Sequence, residues 1–216
     1  MEPDLSAKSS TDVPTPNSRG EAEQKVTTEE DPVLSIFSTV KTWFLSDEKG
    51  VKSSTFDPAS EFKGKVVVVL LFQSWCKGCH TYTELGVKKM VEMFRNESRV
   101  RFAAVQTVFE GFKENTPKNA KEFQKEHQLQ FPVGHDSPLD TSSILSSELE
   151  ALASTPKSSE LPSAMMMTLG AKGTPWSVMM APAKDGKMRL LFNDFRFPSL
   201  EHFQMLVREG LQHTSS

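Results

Sequence analysis

Residues 65–79 read KVVVVLLFQSWCKGC, and His80 follows directly. Lys65–Phe72 begins after Gly64 as an unbroken run of β-branched and aliphatic side chains. Successive strand residues point to opposite faces, so a run without polar alternation needs cover on both. This predicts a central strand buried on both sides. Cys76 and Cys79 come immediately after it, three residues apart, where a helix is expected to begin. The heptapeptide SWCKGCH (74–80) fits two patterns. Cys-x-x-Cys can be a thiol–disulfide pair, and Cys-x-x-Cys-His can be a covalent c-type haem attachment with the histidine as axial ligand.

The surrounding sequence weighs against haem. That reading expects a helical protein exported to a haem-loading compartment, whereas this motif follows an apolar strand. Residues 1–30 also lack the charged-then-apolar pattern of a secretory leader. Zinc requires three or four protein ligands in most sites. Cys76, Cys79 and His80 would have to recruit the distant His127 or His135, with no second Cys-x-x-Cys or His-x-x-x-His in the chain, so no metal is expected.

The 216 residues carry 37% hydrophobic side chains and a net charge of −3, enough for one domain and without the basic excess of a nucleic-acid binder. Residues 1–30 hold seven acids and three bases, no aromatic residue and few aliphatic ones, and are expected to be a disordered acidic tail. The longest apolar run, Val66–Phe72, is far short of a membrane span, and two cysteines do not make a disulfide-stapled secreted fold. The expected location is cytoplasmic, with no membrane partner.

Outward from the motif, Asp31-Pro32 reads as a helix start, and Val33, Ile36, Phe37, Val40 and Phe44 recur at helical spacing. Residues 31–55 are therefore read as an N-terminal helix and linker, with polar residues 45–64 as a loop. Residues 79–95 carry Leu85, Val87, Met90, Val91 and Phe94 at helical spacing. Val100–Val108 reads as a strand, Pro117–His127 as a helix and Leu129–Val133 as a short strand. Residues 136–164, with nine serines and three prolines, read as a surface insertion. A helix is expected over Ser163–Leu169. The apolar runs Trp176–Ala181 and Met188–Phe192 flank Asp185-Gly186, a hairpin turn signal. An amphipathic helix over Pro198–Leu211 closes the chain. The methionines Met165–Met167, Met179 and Met180 read as core filler.

This order, with Cys-x-x-Cys between a buried strand and a helix and with Gly173-Thr174-Pro175-Trp176 just before a hairpin and a last helix, resembles the thioredoxin fold. The similarity is to the redoxin branch (AhpC/TSA, TlpA-like thiol–disulfide reductases) and covers about residues 56–211. It implies an α/β fold of three layers, α/β/α, with a mixed central sheet and a C-terminal β-hairpin and helix. It also implies a domain over 56–213 interrupted by the 136–164 insertion.

The resemblance further implies that Pro175 is a cis-proline packed on the dithiol, with Thr174 free to pair with an extended substrate. Cys76 would attack and Cys79 resolve, with no cofactor beyond a redox-active Cys76–Cys79 disulfide. A cysteine at a helix start faces unpaired backbone N–H groups, which favour its thiolate, and Lys77 adds a positive charge. Trp75 and Trp176 are either an apolar rim for substrate or core aromatics; the rim is the reading adopted.

The implied partners are protein or small-molecule disulfides and thiols, with an upstream dithiol reductant such as thioredoxin with its reductase, or glutathione. The implied role is cell redox homeostasis. Two alternatives stand beside it: a thiol peroxidase (antioxidant) of the AhpC/TSA type, and a non-catalytic binding module. Peroxidases of the branch place Thr or Ser three residues before the reactive cysteine; here that residue is Gln73. Other departures concern Cys79. The intervening pair is Lys77-Gly78, Tyr82 stands where the branch often carries an acid, and Val66–Phe72 contains no acid. Glu84 and Glu110 are the carboxylates that could substitute.

Overall fold

All seven side chains of Val66–Phe72 are buried, and the rest of the chain is arranged to cover them. The computed structural model describes residues 31–47, 50–136 and 162–214. A 3-10 turn at Leu34–Thr39 leads into β1 (Val40–Asp47) and β2 (Gly50–Ser54). Helix α1 (Pro58–Phe62) precedes β3 (Val66–Phe72). Helix α2 (Lys77–Tyr82) continues through a π turn at Thr83–Val87 into α3 (Lys88–Phe94). Then come β4 (Val100–Gln106), α4 (Pro117–Glu126), β5 (Val133–Asp136) and α5 (Ala164–Leu169). The hairpin strands β6 (Trp176–Pro182) and β7 (Met188–Asp194) and helix α6 (Leu200–Leu211) follow.

The strands form one sheet in the order β2-β1-β5-β4-β3-β6-β7. Strands β3, β4 and β5 are parallel, while β6 and β1 join antiparallel to β3 and β5. The two faces of β3 separate two cores. Val67, Val69 and Leu71 pack with Phe37, Phe62, Met165 and Leu169. On the other side Val66 and Val68 meet Met90, Phe203 and Val207, and Leu70 and Phe72 meet Cys79, Ala120 and Phe123. This is the expected α/β/α sandwich. Met165, Met166, Met179 and Met180 are buried as expected, and Met167 is exposed. Among the described residues no helix is long and apolar enough to cross a membrane.

The N-terminal segment departs from expectation. Asp31 does start a helical turn, accepting the Val33 N–H at 3.0 Å, and its other oxygen accepts the Met188 N–H of the distant hairpin. The turn ends at Thr39, however, and residues 40–47 are strand, not helix. Val33, Ile36, Phe37, Val40 and Phe44 have helical spacing, but β-branched and aromatic residues dominate from Val40 on. Pairing with both β2 and β5 satisfies that backbone, so tertiary context overrides the local period. The loop expected over 45–64 contains β2 and α1. Asp57 caps α1 by accepting the Ala59 N–H, with Pro58 at the first helical position. These are the start signals already legible at Asp31-Pro32.

The third parallel strand is also displaced. Leu129 closes the turn after α4, and β5 begins only past Pro132, so the strand is Val133–Asp136 and not 129–133. The expected tail, 1–30, lies outside the described residues, as does most of the insertion, 137–161.

Gly134 of β5 pairs with Trp43 of β1. A Cβ there would come within 2.5 Å of Val40 Cγ1 and 3.0 Å of Trp43 Cζ3. Overpacking of this kind costs about 1–3 kcal/mol. Gly134→Ala is therefore expected to lower the urea midpoint with an unchanged m value; an unmoved midpoint would mean that β1 gives way freely.

Candidate functional site: a dithiol at the end of the central strand

β3 delivers the chain to the edge of the sheet, and Gln73–Trp75 turn it into α2. The Cys76 N–H donates to the Gln73 carbonyl at 3.1 Å, closing the turn. Cys76 is the N-cap of α2. Its Sγ accepts the Cys79 N–H at 3.1 Å, a sulfur serving where Ser or Asp oxygens usually serve. One backbone amide of the first helical turn, that of Cys79, thus points at this sulfur.

The two cysteines are free and differ in exposure: Cys76 is half-buried, Cys79 fully buried. Burial pushes the Cys79 thiol up to about 12, and the neighbouring Cys76 sulfur adds to the shift. The Gln73 backbone and the Thr174 hydroxyl act in the opposite direction.

The Thr174–Pro175 peptide is cis, as expected. A Cβ on Gly78 would lie 3.7 Å from Pro175 Cδ and 3.8 Å from Cys76 Sγ, so the proline ring faces the helix start. Cys76 Sγ is 3.6 Å from the Thr174 carbonyl oxygen. Thr174 Oγ1 is 3.5 Å from Gln73 Oε1, and the Gln73 amide donates to the Glu110 carbonyl at 2.9 Å. Buried Gln73 therefore ties the strand end to the loop after β4 and to the cis-proline loop. Buried Asn115 holds the same wall: its Oδ1 accepts the Ser74 N–H at 3.0 Å and its Nδ2 donates to the Glu110 carbonyl. Its sequence signal was only its place beside Thr116-Pro117.

The expected pair of tryptophans divides. Trp75 is 46% exposed beside Cys76. Trp176 is not on the rim. It is buried in β6, and its indole N–H donates to Asn193 Oδ1 at 2.7 Å, because the first residue past the cis-proline already pairs with β3. The second exposed aromatic at the cis-proline loop is Phe195, 42% exposed and near Gly173, where a Cβ would lie 3.9 Å from its ring. Phe195 follows the hairpin, out of reach of local pattern reading.

Neither carboxylate considered for Cys79 acts on it. Glu84 is half-exposed and binds Lys88 and His127; those hydrogen bonds hold its carboxyl below the usual range. Glu110 contributes its backbone carbonyl. Tyr82, in the place of the branch's acid, packs towards β6 with its hydroxyl 3.2 Å from Ser177 Oγ, and burial raises its pKa. Leu85, read as part of an apolar stripe, is exposed. His80 does not stand free: its Nε2 meets the Ser74 carbonyl at 2.8 Å and its Nδ1 meets His127 Nε2 at 2.8 Å. Among the described residues, His80, Glu126 and His127 form a group able to hold a metal ion, their donor atoms lying within 4.8 Å of one another.

A buried strand that ends in a helix-capping Cys-x-x-Cys, faced by a cis-proline and covered by helices on both sides, defines a thioredoxin-like protein. The redoxin family model matches residues 29–170, and the chain belongs to the redoxin family. One similar solved structure is a thioredoxin-like superfamily protein, 23% identical with a TM-score of 0.57, the match covering 82% of this chain and 96% of that one. Another is a thiol-disulfide isomerase from Corynebacterium glutamicum, 25% identical with a TM-score of 0.54, covering 81% and 94%. No curated protein sequence matches significantly.

The asymmetry of the two thiols is directly measurable. Burial holds the Cys79 thiol far above its ordinary range, so little of its thiolate is present at pH 8. Iodoacetamide at pH 8 is expected to label Cys76 in the reduced native chain and both cysteines after denaturation. Cys79 labelling should rise only as the pH climbs towards 12. Comparable native labelling of both at pH 8 would contradict the geometry.

Proposed function

We propose that the protein is a thiol–disulfide oxidoreductase in which Cys76 is the nucleophile and Cys79 the resolving thiol. The observation that carries this reading is the helix-capped, half-exposed Cys76 sulfur beside the cis Thr174–Pro175 loop, with Cys79 buried behind it. Membership of the redoxin family and the likeness to a thiol-disulfide isomerase support it.

In the exchange, the Cys76 thiolate attacks one sulfur of a substrate disulfide, forming a mixed disulfide and releasing the other sulfur as a thiolate. Cys79 then loses its proton and attacks Cys76 Sγ. The Cys76–Cys79 disulfide forms and the second substrate thiol leaves. Two electrons pass from the dithiol to the substrate; the proton given up by Cys79 ends on one product sulfur, and the other product sulfur leaves as the thiolate that replaces the Cys76 thiolate consumed. A dithiol of the thioredoxin class, or glutathione, would restore the reduced pair. The second step is the demanding one, because Cys79 holds its proton strongly. The Thr174 hydroxyl and the Gln73 backbone are the groups that ease its ionisation, a part that a buried carboxylate plays in other members.

Cys79→Ser removes the resolving thiol and is expected to trap a covalent adduct with a protein disulfide, read by intact mass. Cys76→Ser should abolish disulfide reduction to background. If Cys79→Ser forms no adduct at any pH while Cys76 remains alkylatable, the exchange reading is wrong. The peroxidase alternative is separated by peroxide consumption in the presence of a dithiol. It is disfavoured by Gln73, whose amide is engaged at the place where the peroxidases carry a hydroxyl. A non-catalytic binding module would keep its cellular function in a Cys76→Ser/Cys79→Ser variant.

Trp75 and Phe195 supply apolar contact for a protein partner beside the reactive sulfur. Trp75→Ala and Phe195→Ala are each expected to raise KM for a protein disulfide by about 5- to 30-fold, the equivalent of about 1–2 kcal/mol of lost contact. Turnover of a small aromatic disulfide should stay within about twofold. Equal losses on both substrates would place these rings in support of the dithiol instead.

A further inference from the structure

We propose that His80, His127 and Glu126 form a binding site for a divalent transition-metal ion, best suited to Zn²⁺, on the outer side of the dithiol helix. His80 lies on α2. Glu126 ends α4 and His127 follows it, so two separately folded elements bring the three side chains together.

The argument starts from hydrogen-bond bookkeeping. His80 Nε2 is 2.8 Å from the Ser74 carbonyl, which can only accept, so this nitrogen carries a hydrogen. His127 Nδ1 is 2.5 Å from Glu84 Oε1. Lys88 Nζ donates to both Glu84 oxygens at 2.7 Å, so the carboxylate is an acceptor and Nδ1 carries the hydrogen. In a neutral imidazole the other nitrogen then bears a lone pair. These two remaining nitrogens, His80 Nδ1 and His127 Nε2, face each other at 2.8 Å. Two lone pairs at that distance repel unless a cation lies between or beside them. The cation is either one shared proton or a metal ion.

The third donor favours the metal. Glu126 Oε1 lies 3.7 Å from His80 Nδ1 on the same side. Two ligands at ~2.05 Å across a tetrahedral angle are ~3.3 Å apart; spacings of 2.8 and 3.7 Å lie on either side of this, and the third pair, within 4.8 Å, closes by a turn of the exposed Glu126 side chain. Two imidazoles and a carboxylate are a donor set that zinc accepts, with a fourth position open to water or another ligand. The outer partners are also those a metal-binding histidine uses: a backbone carbonyl behind one ring and a carboxylate behind the other, fixing tautomer and orientation. Phe123 floors the site, its ring centroid 5.0 Å from that of His80 and 4.3 Å from that of His127. His127 is buried, while Glu126 is exposed, so the ion would enter from the Glu126 side.

Neither cysteine is a ligand of this site, so the test runs without them and its result is independent of the exchange reading. The full chain carrying Cys76→Ser/Cys79→Ser is titrated with Zn²⁺ against a chromophoric chelator. One equivalent is expected to bind, and Zn²⁺ is expected to raise the melting temperature. On that background Glu126→Gln, an exposed change that leaves the core intact, should weaken binding at least about 10-fold, and His80→Gln about 100-fold or more. Glu84→Gln, which removes the carboxylate behind His127, should weaken it about 10-fold. The proposal is overturned if no equivalent binds more tightly than about 100 µM, in which case a shared proton holds the rings together. It is equally overturned if binding survives Glu126→Gln and His80→Gln within about twofold, which would move the ion to other side chains.

Discussion

The burial of β3 on both faces is the constraint from which the rest of the molecule follows. Seven consecutive apolar side chains need cover above and below, and each one hidden is worth about 1.5–3 kcal/mol. One face is met by the 3-10 turn, α1 and α5, the other by α2, α3, α4 and α6. Polar Gln73 and Ser74 end the run, and the chain must leave the sheet there. Cys76 is fixed at a helix start because the strand cannot continue and the helix that covers it has to begin.

This placement sets two unlike sulfurs three residues apart. The first is at the mouth of the helix, with an amide aimed at it; the second is one turn deeper, in a cluster with Phe72, Val87 and Phe123. Burial makes the inner thiol reluctant to ionise, and a low-polarity pocket offers little to reverse that. The cis-proline loop brings the Thr174 carbonyl to the outer sulfur, and the Thr174 hydroxyl acts against the rise at the inner one. Tyr82, which stands in the acid's place, serves to dock the helix on β6.

Much of this arrangement was legible in the sequence. Val66–Phe72, Cys76 and Cys79, Thr174-Pro175 and the Asp185-Gly186 hairpin each carry a strong local signal, and together they specify the order of elements around the site. What escaped was set by pairing across long separations. Val40–Asp47 has a helical spacing of apolar residues yet lies between β2 and β5, and Val133–Asp136 is too short and polar to announce itself. Asp57-Pro58 carries the same helix-start signal as Asp31-Pro32. Trp176 looked like Trp75 on paper, and only the antiparallel register of β6 against β3 puts one indole in the core and leaves the other in solvent. The meeting of His80 with His127 was equally invisible, since 47 residues separate them and neither has a local partner pattern.

The pairing of β6 with β3 has a bearing on where this domain ends. The family match stops at residue 170, yet Val67–Leu71 pairs with Trp176–Met180. A chain cut at that limit would keep both cysteines and lose the neighbour of its most apolar strand. It would present an open, flat edge of valine and leucine, the kind of surface on which chains add to one another and precipitate. The last hairpin, with its polar outer strand carrying Arg189, Asn193 and Asp194, is thus the natural guard against aggregation. The smallest unit that keeps β3 paired on both sides extends well past the boundary that family similarity draws.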